Sequence, residues 1–181
     1  YAQISSANQT IATTRGSNGL NLWDLKSMQL IGEWPIDDVE TKAATSLAIH
    51  PGNQNVCTIG FDNGGFTAID TRVSNKETIL TVSIGESIIG LCENKVGANL
   101  IYAATKSGRC LAWDMSTNNL TPCGIPNPKL NVHSFDASLS LPILGFSSID
   151  DHPIITTPNG KSLYKVEDVA PNSIISFHPV L

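Results

Sequence analysis

The chain has 181 residues, 41% of them apolar and 15% charged, with a formal net charge of −5. That balance is ordinary for one globular domain able to bury a core, and its 11 Lys and Arg residues form no cluster suited to a phosphate backbone. No apolar run of about eighteen residues reads as a membrane span, and no basic stretch followed by an apolar core reads as a secretory leader.

The first unit, about 1–42, opens near Ile4. Its second strand carries the small residues Ala12, Thr13 and Thr14, a turn falls at Ser17-Asn18-Gly19, and a third strand ends in Trp23-Asp24. The second unit, about 43–85, shows the whole pattern. A strand over 45–49 leads into the polar break His50-Pro51-Gly52-Asn53, and a strand over 55–61 ends at the turn Asp62-Asn63-Gly64. A third strand over 66–70 closes on Ile69-Asp70, and a fourth over 78–84 follows the polar stretch 72–77. Asn-Gly between two apolar runs predicts a tight type I′ hairpin, in which both central residues take positive φ. The third unit, about 86–129, repeats the plan with Leu91, the small residues Ala103-Ala104-Thr105, the turn at Ser107-Gly108 and the pair Trp113-Asp114. The fourth, about 130–170, opens at Phe135 but is degenerate. Ile149-Asp150-Asp151-His152 stands where the glycine turn belongs, and the third strand over 154–157 has no Trp-Asp pair. The stretch 171–181, with Phe177-His178-Pro179, reads as the opening strand of a fifth unit.

Three registers share this period. His50, Glu93, Asp136 and His178 step by 43, 43 and 42, the Trp/Ile-Asp pairs by 46 and 44, and the glycine turns by 45 and 44. A repeat of about 40–45 residues carrying a Trp-Asp pair is the signature of four-stranded propeller blades. No stretch holds a 3.6-residue apolar period, so helix is not expected. The fold class expected is therefore all-β: four four-stranded antiparallel blades plus the first strand of a fifth. A chain that stops as a blade opens leaves a raw sheet edge, and a terminal repeat cannot bury its apolar face alone. Further blades, and hence a larger propeller, are expected.

Chemistry-bearing residues recur at structural positions. Cys57, Cys92 and Cys110 sit in apolar strands as small buried hydrophobes, and with Cys123 they show no C-x-x-C spacing. Neither a disulfide framework nor a metal site is expected, and a reducing, cytoplasmic location fits them. His50 and His178 follow a first strand and precede Pro51 and Pro179, which suits turn capping. Asp24, Asp70 and Asp114 end third strands, where a short carboxylate holds a turn through bonds to backbone N–H groups. His50, Glu93, Asp136 and His178 also occupy one height in successive units. An alternative reading is thus a propeller enzyme, a metal-dependent hydrolase with these ligands at a central channel. No phosphate loop, nucleophile elbow or H-E-x-x-H motif is present.

The hairpins RGSNGLNLWDL (15–25), FDNGGFTAIDTR (61–72) and TKSGRCLAWDM (105–115) resemble those of WD-repeat propellers. The resemblance implies a closed ring, usually of seven blades. Two features depart from the family: the Gly-His pair before the first strand is absent, and Ile69 replaces Trp. Within the family, the order of units is similar to the carboxy-terminal propeller of the raptor family, scaffold subunits of TOR kinase complexes. There too a Trp-Asp blade precedes one ending in Asp-x-Arg, here Asp70-Thr71-Arg72, and a late blade opens on Phe-His-Pro. The resemblance implies a non-catalytic scaffold in a multi-subunit protein complex, with protein partners and no cofactor, metal, nucleic acid, membrane insertion or small-molecule substrate. Partners are expected at one end of the blades, on the turns 17–19, 62–65, 106–108 and 149–152 and the connections 37–42, 85–86, 124–129 and 167–171. Arg15, Lys42, Asp62 and Lys106 are the charges expected to meet them.

Overall fold

The computed structural model describes residues 1–5, 8–14, 19–36, 42–50, 52–73, 78–94, 100–123 and 130–177. Among them there are sixteen strands and no helix, and hence no helix able to cross a membrane. Sheet 1 comprises β1 (Ala2–Ser5), β2 (Thr10–Thr14), β3 (Gly19–Asp24) and β4 (Leu30–Pro35); sheet 2 comprises β5 (Ala44–Ile49), β6 (Val56–Phe61), β7 (Gly65–Asp70) and β8 (Thr78–Ser83). Sheet 3 comprises β9 (Ile88–Asn94), β10 (Leu100–Thr105), β11 (Cys110–Asp114) and β12 (Asn119–Cys123); sheet 4 comprises β13 (Val132–Ala137), β14 (Leu144–Ser148), β15 (Ile154–Thr156) and β16 (Ser162–Lys165). In every sheet the strands lie in chain order, each paired antiparallel with the next. The chain forms two compact units, residues 1–88 and 89–181.

Each unit is a pair of sheets packed face to face. In the first, Ala12, Leu20, Trp34 and Ile36 meet Leu47, Ile49, Cys57, Ile59, Phe61 and Ile69. In the second, Tyr102, Ala104, Cys110, Ala112 and Cys123 meet Leu130, Val132, Phe135, Ala137, Leu144, Phe146 and Ile154. The Phe135 and Phe146 rings tilt together at a centroid distance of 4.9 Å. Removing side chains of this size from water contributes about 1.5–3 kcal/mol each, so these faces dominate the stability of each unit. Small residues admit the close approach: a Cβ on Gly90 of β9 would lie 3.3 Å from the Phe135 ring carbon and Cβ. Burial falls toward the last strand of a sheet, from the fully buried β14 to the fully exposed β16.

Hairpin chemistry differs from the sequence expectation in one respect. The β6–β7 connection is a three-residue loop, because Gly60 pairs with Phe66 and the Gly64 N–H returns to the Phe61 carbonyl at 3.1 Å. Gly64 alone takes positive φ, +85°, and Asn63 does not. The turn is therefore a type I turn closed by a glycine bulge rather than type I′. The third loop residue sets the type, and Asn63 instead accepts the Gly65 N–H on its side-chain oxygen at 3.0 Å.

The opening strand expected over 171–181 makes no ladder in its described part, 171–177. Its exposure nevertheless alternates, with Ile174 and Ser176 outward and Ser173, Ile175 and Phe177 half-buried. Side chains of β13 hold it in place of a partner backbone. The Ser134 hydroxyl accepts the Ile175 N–H at 3.2 Å and the Asp136 carboxylate accepts the Phe177 N–H at 2.6 Å. Ile175 and Phe177 close so tightly over Gly145 that a Cβ there would lie 2.6 Å from Ile175 Cδ1.

Candidate interaction surface

Strand count places the second-to-third strand turns and the segments leaving each fourth strand at one end of every sheet. Within each unit these segments are bonded to one another. In the first unit, the Asp62 N–H donates to the Ala43 carbonyl at 3.0 Å and the Ala43 N–H donates to the Asp62 carboxylate at 2.9 Å. The Ile84 N–H donates to the Gly64 carbonyl at 2.9 Å. In the second unit, the Val132 N–H donates to the Lys106 carbonyl at 3.0 Å, and the Ile149 N–H to the Asn131 carbonyl at 3.1 Å. His152 Nδ1 lies 2.8 Å from the Val169 carbonyl, and Lys165 pairs with Asp151 at 2.7 Å. The Lys165 ammonium and the His152 N–H hold the Asp151 carboxyl below its ordinary value. Exposed side chains here stand on a braced frame, which is how loops come to carry binding residues on a rigid scaffold.

Asp62 and Lys106 are exposed at this end, Asp62 in the first unit and Lys106 in the second. Lys42 departs from its expected place among the exposed charges. It is only 5% exposed, and its ammonium lies 4.7 Å from the centroid of the buried Phe61 ring. A ring face attracts a cation more strongly once both are removed from water, and the long stem packs as an apolar chain. Lys42 is thus brought beside Phe61 and Asp62, beneath the turn. Arg15 and His178 lie outside the described residues.

The repeat aspartates hold the opposite ends of their third strands. The Asp24 carboxylate accepts the Ser27 N–H at 2.6 Å, the Ser27 hydroxyl at 2.8 Å and the Lys26 N–H at 3.1 Å. Asp114 accepts the Ser116 hydroxyl at 2.6 Å and its N–H at 2.8 Å. Asp70 accepts the Arg72 N–H at 2.9 Å and pairs with its guanidinium at 2.6 Å. Those bonds favour the ionised form and lower all three carboxyls: Ser27 at Asp24, the Arg72 side chain at Asp70, the Ser116 side chain at Asp114. Trp23, half-buried, donates its indole N–H to the Thr13 hydroxyl at 2.9 Å, and Trp113, fully buried, to Asn118 at 3.2 Å.

Of the possible metal register, His50 is fully buried and its Nδ1 accepts the Gly52 and Asn53 N–H groups at 3.2 and 3.1 Å. An accepting Nδ1 places the ring proton on Nε2. Asp136 spends one oxygen on the Ala137 N–H at 2.8 Å and the other on the Phe177 N–H. Glu93 lies on β9 beside Cys92. Among the described residues no three metal-ligating side chains converge.

Two features escaped the repeat pattern. Trp34 has no counterpart at its register, yet it is buried, donates its indole N–H to the Val73 carbonyl at 3.3 Å, and presses on Gly32 so closely that a Cβ there would lie 2.5 Å from its ring. Elsewhere in the first unit, Ser5 donates to the Gln54 side chain at 2.6 Å, and the Asn8 amide donates to the Gln54 carbonyl and Asn55 side chain at 3.0 Å each. These polar residues have no repeated spacing by which to find them.

No known protein family matches the sequence, and no curated protein does. Solved structures do match. Raptor of Chaetomium thermophilum superposes with a TM-score of 0.81 at 14% identity, over 98% of this chain and 17% of that one. The β-propeller domain of Cps50 (Swd1) of Myceliophteria thermophila superposes with a TM-score of 0.75 at 14% identity, over 94% of this chain and 55% of that one. This chain therefore spans less than two thirds of either structure. It has the β-propeller fold.

Proposed function

We propose that the chain is a non-catalytic interaction module, part of a WD-repeat propeller that binds other proteins within a stable multi-subunit assembly. The observation that carries this reading is the braced end of the sheets. There Asp62 and Lys106 project from turns locked to Ala43 and Val132 by backbone bonds. A turn whose backbone is already held loses little freedom on binding, so contacts made from it translate into affinity. Asp62, Lys106 and Arg15 are the proposed contact residues, with Lys42 supporting the turn from beneath through Phe61.

The likeness to a raptor structure, together with the sequence resemblance, supports a finer proposal: a scaffold of raptor type in a TOR kinase complex of the cytoplasm, with further blades completing a seven-bladed ring. Ile4 supports the further blades. Its equivalent in the strand register of sheet 2, Ile49, is 8% exposed, whereas Ile4 is 64% exposed on a face of sheet 1.

The test is affinity capture from cell extract with the wild-type chain and with Asp62→Lys and Lys106→Glu, each checked for an unchanged circular dichroism spectrum. Recovery of a kinase-containing assembly by the wild type, lost in either charge reversal, is expected. Equal recovery by all three sinks the proposed surface. Recovery of proteins without a kinase removes the TOR assignment and leaves the interaction module.

A further inference from the structure

The four cysteines are all free thiols, and two of them face each other. Cys110 on β11 and Cys123 on β12 are directly opposed in the strand register. Opposed residues of neighbouring antiparallel strands lie on one face with Cα atoms about 4.5 or 5.5 Å apart. Both spacings fall inside the disulfide window of about 4.4–6.8 Å. Both belong to the buried core of their unit, where the Cys123 thiol donates to the Thr121 carbonyl at 4.0 Å. Cys92, the nearest competitor, is turned to other partners: its thiol donates to the Phe135 carbonyl at 3.7 Å and to Asp136 at 3.5 Å.

We propose that Cys110 and Cys123 form a reversible oxidation site, closed to a cross-strand disulfide by a hydroperoxide and reopened by a thiol reductant. Cys123 is the residue attacked first. It is 9% exposed against 2% for Cys110, and the pair is unequal: the neighbouring Cys110 lowers the Cys123 thiol, while Cys123 and burial raise that of Cys110. The thiolate attacks the terminal peroxide oxygen, the O–O bond breaks, and the leaving oxygen departs as water or an alcohol after taking a proton. The resulting sulfenic acid of Cys123 is then attacked at sulfur by Cys110. Its oxygen leaves as water with the Cys110 proton, and the S–S bond forms. Two thiols are oxidised and one hydroperoxide is reduced.

Access comes through the edge of the sheet. β12 is the last strand of sheet 3, and three of its five residues are exposed. Pro122, paired with Leu111 next to the cysteines, brings no N–H to the ladder. Local opening of an edge with few buried contacts costs far less than global unfolding, and it admits a small oxidant to Cys123.

The test is titration of the native 181-residue chain with hydrogen peroxide, read by thiol count and intact mass, followed by peptide mapping. Loss of two thiols and two hydrogen masses is expected, with the Cys110 and Cys123 peptides linked and dithiothreitol restoring both. Amide exchange along β12 should slow several-fold in the oxidised form. Cys123→Ser should abolish the two-thiol loss; should that variant fold poorly, the wild-type map decides alone. The site is overturned by a link between Cys92 and Cys110. Sulfinic acid on Cys123 with Cys110 still reduced also overturns it, as does thiol loss only in denaturant.

Discussion

In sheet 3 the third strand ends in Trp113-Asp114 and the glycine turn joins its second and third strands; in sheet 4 the third strand is three residues long, lacks that pair, and the glycine turn joins its third and fourth strands. The two turns are the same object. Thr105 donates its N–H to the Arg109 carbonyl at 2.8 Å, accepts the Gly108 N–H on its carbonyl at 3.0 Å and accepts the Arg109 N–H on its hydroxyl at 3.1 Å. Thr157 makes the same three bonds to Lys161, Gly160 and Lys161, at 2.9, 2.9 and 3.2 Å. Gly108 and Gly160 take φ of +88° and +84°. A Thr-x-x-Gly-Arg/Lys hairpin is thus a portable part, usable at either end of a sheet. Where it replaces the aspartate turn, the sheet gives up the tryptophan anchor as well.

The largest difference between the two sheets is expected at that anchor. Trp113→Ala, at a fully buried position, is expected to cost about 3–5 kcal/mol in denaturant melts, and Ile154→Ala in the third strand of sheet 4 about 2 kcal/mol. Equal losses would mean that sheet 4 holds an anchor elsewhere.

The turns come next. Thr105 is fully buried and Thr157 is half-buried. Thr105→Val should therefore cost about 1–3 kcal/mol, from loss of the bonds made by its buried hydroxyl, and Thr157→Val less than about 1.5 kcal/mol because water can replace the hydroxyl. Gly108→Ala and Gly160→Ala should each cost about 1–2 kcal/mol, since both place a Cβ in the left-handed region. A neutral result at either glycine would show that its turn relaxes to another type.

Acid separates the turns of the two sheets as well. The Ser116 bonds depress the Asp114 carboxyl and the Lys165 ammonium depresses that of Asp151. Each contribution is fully present above the unfolded carboxyl value of about 4 and is lost as pH falls through the lower folded value. Molar salt should weaken the Asp151–Lys165 part and leave the Asp114 part, because hydrogen bonds within one turn are little screened. Thermal melts of Asp114→Ala and Asp151→Ala across pH 2–6, with and without salt, separate the two; salt sensitivity in both would remove the distinction.

The smallest effect concerns the last loop residue of the aspartate turns. Asn118 in sheet 3 and Met28 in sheet 1 both take positive φ, 55° and 56°. Asparagine tolerates that region better than methionine, so Met28→Asn is expected to stabilise by up to about 1 kcal/mol. A loss on that exchange would mean that the exposed Met28 side chain contributes packing.

The period, the strand class and the sheet count were legible along the chain, because apolar alternation and repeated turn residues are local properties. The sites of His50 and the three aspartates were equally legible, since a short side chain capping its own turn needs only neighbours along the chain. Other decisions waited on tertiary structure. Lys42 left the exposed surface because Phe61, distant in sequence, offered its ring face. Trp34 entered the core because Gly32 left room for it. Cys110 met Cys123 because one strand register put them opposite each other. Segment 173–177 kept the alternation of a strand but gained no ladder, because Ser134 and Asp136 bond it through side chains. Local spacing fixes which residues form a strand or a turn; which of them touch depends on register and on the volume left between sheets, and neither is written along the chain.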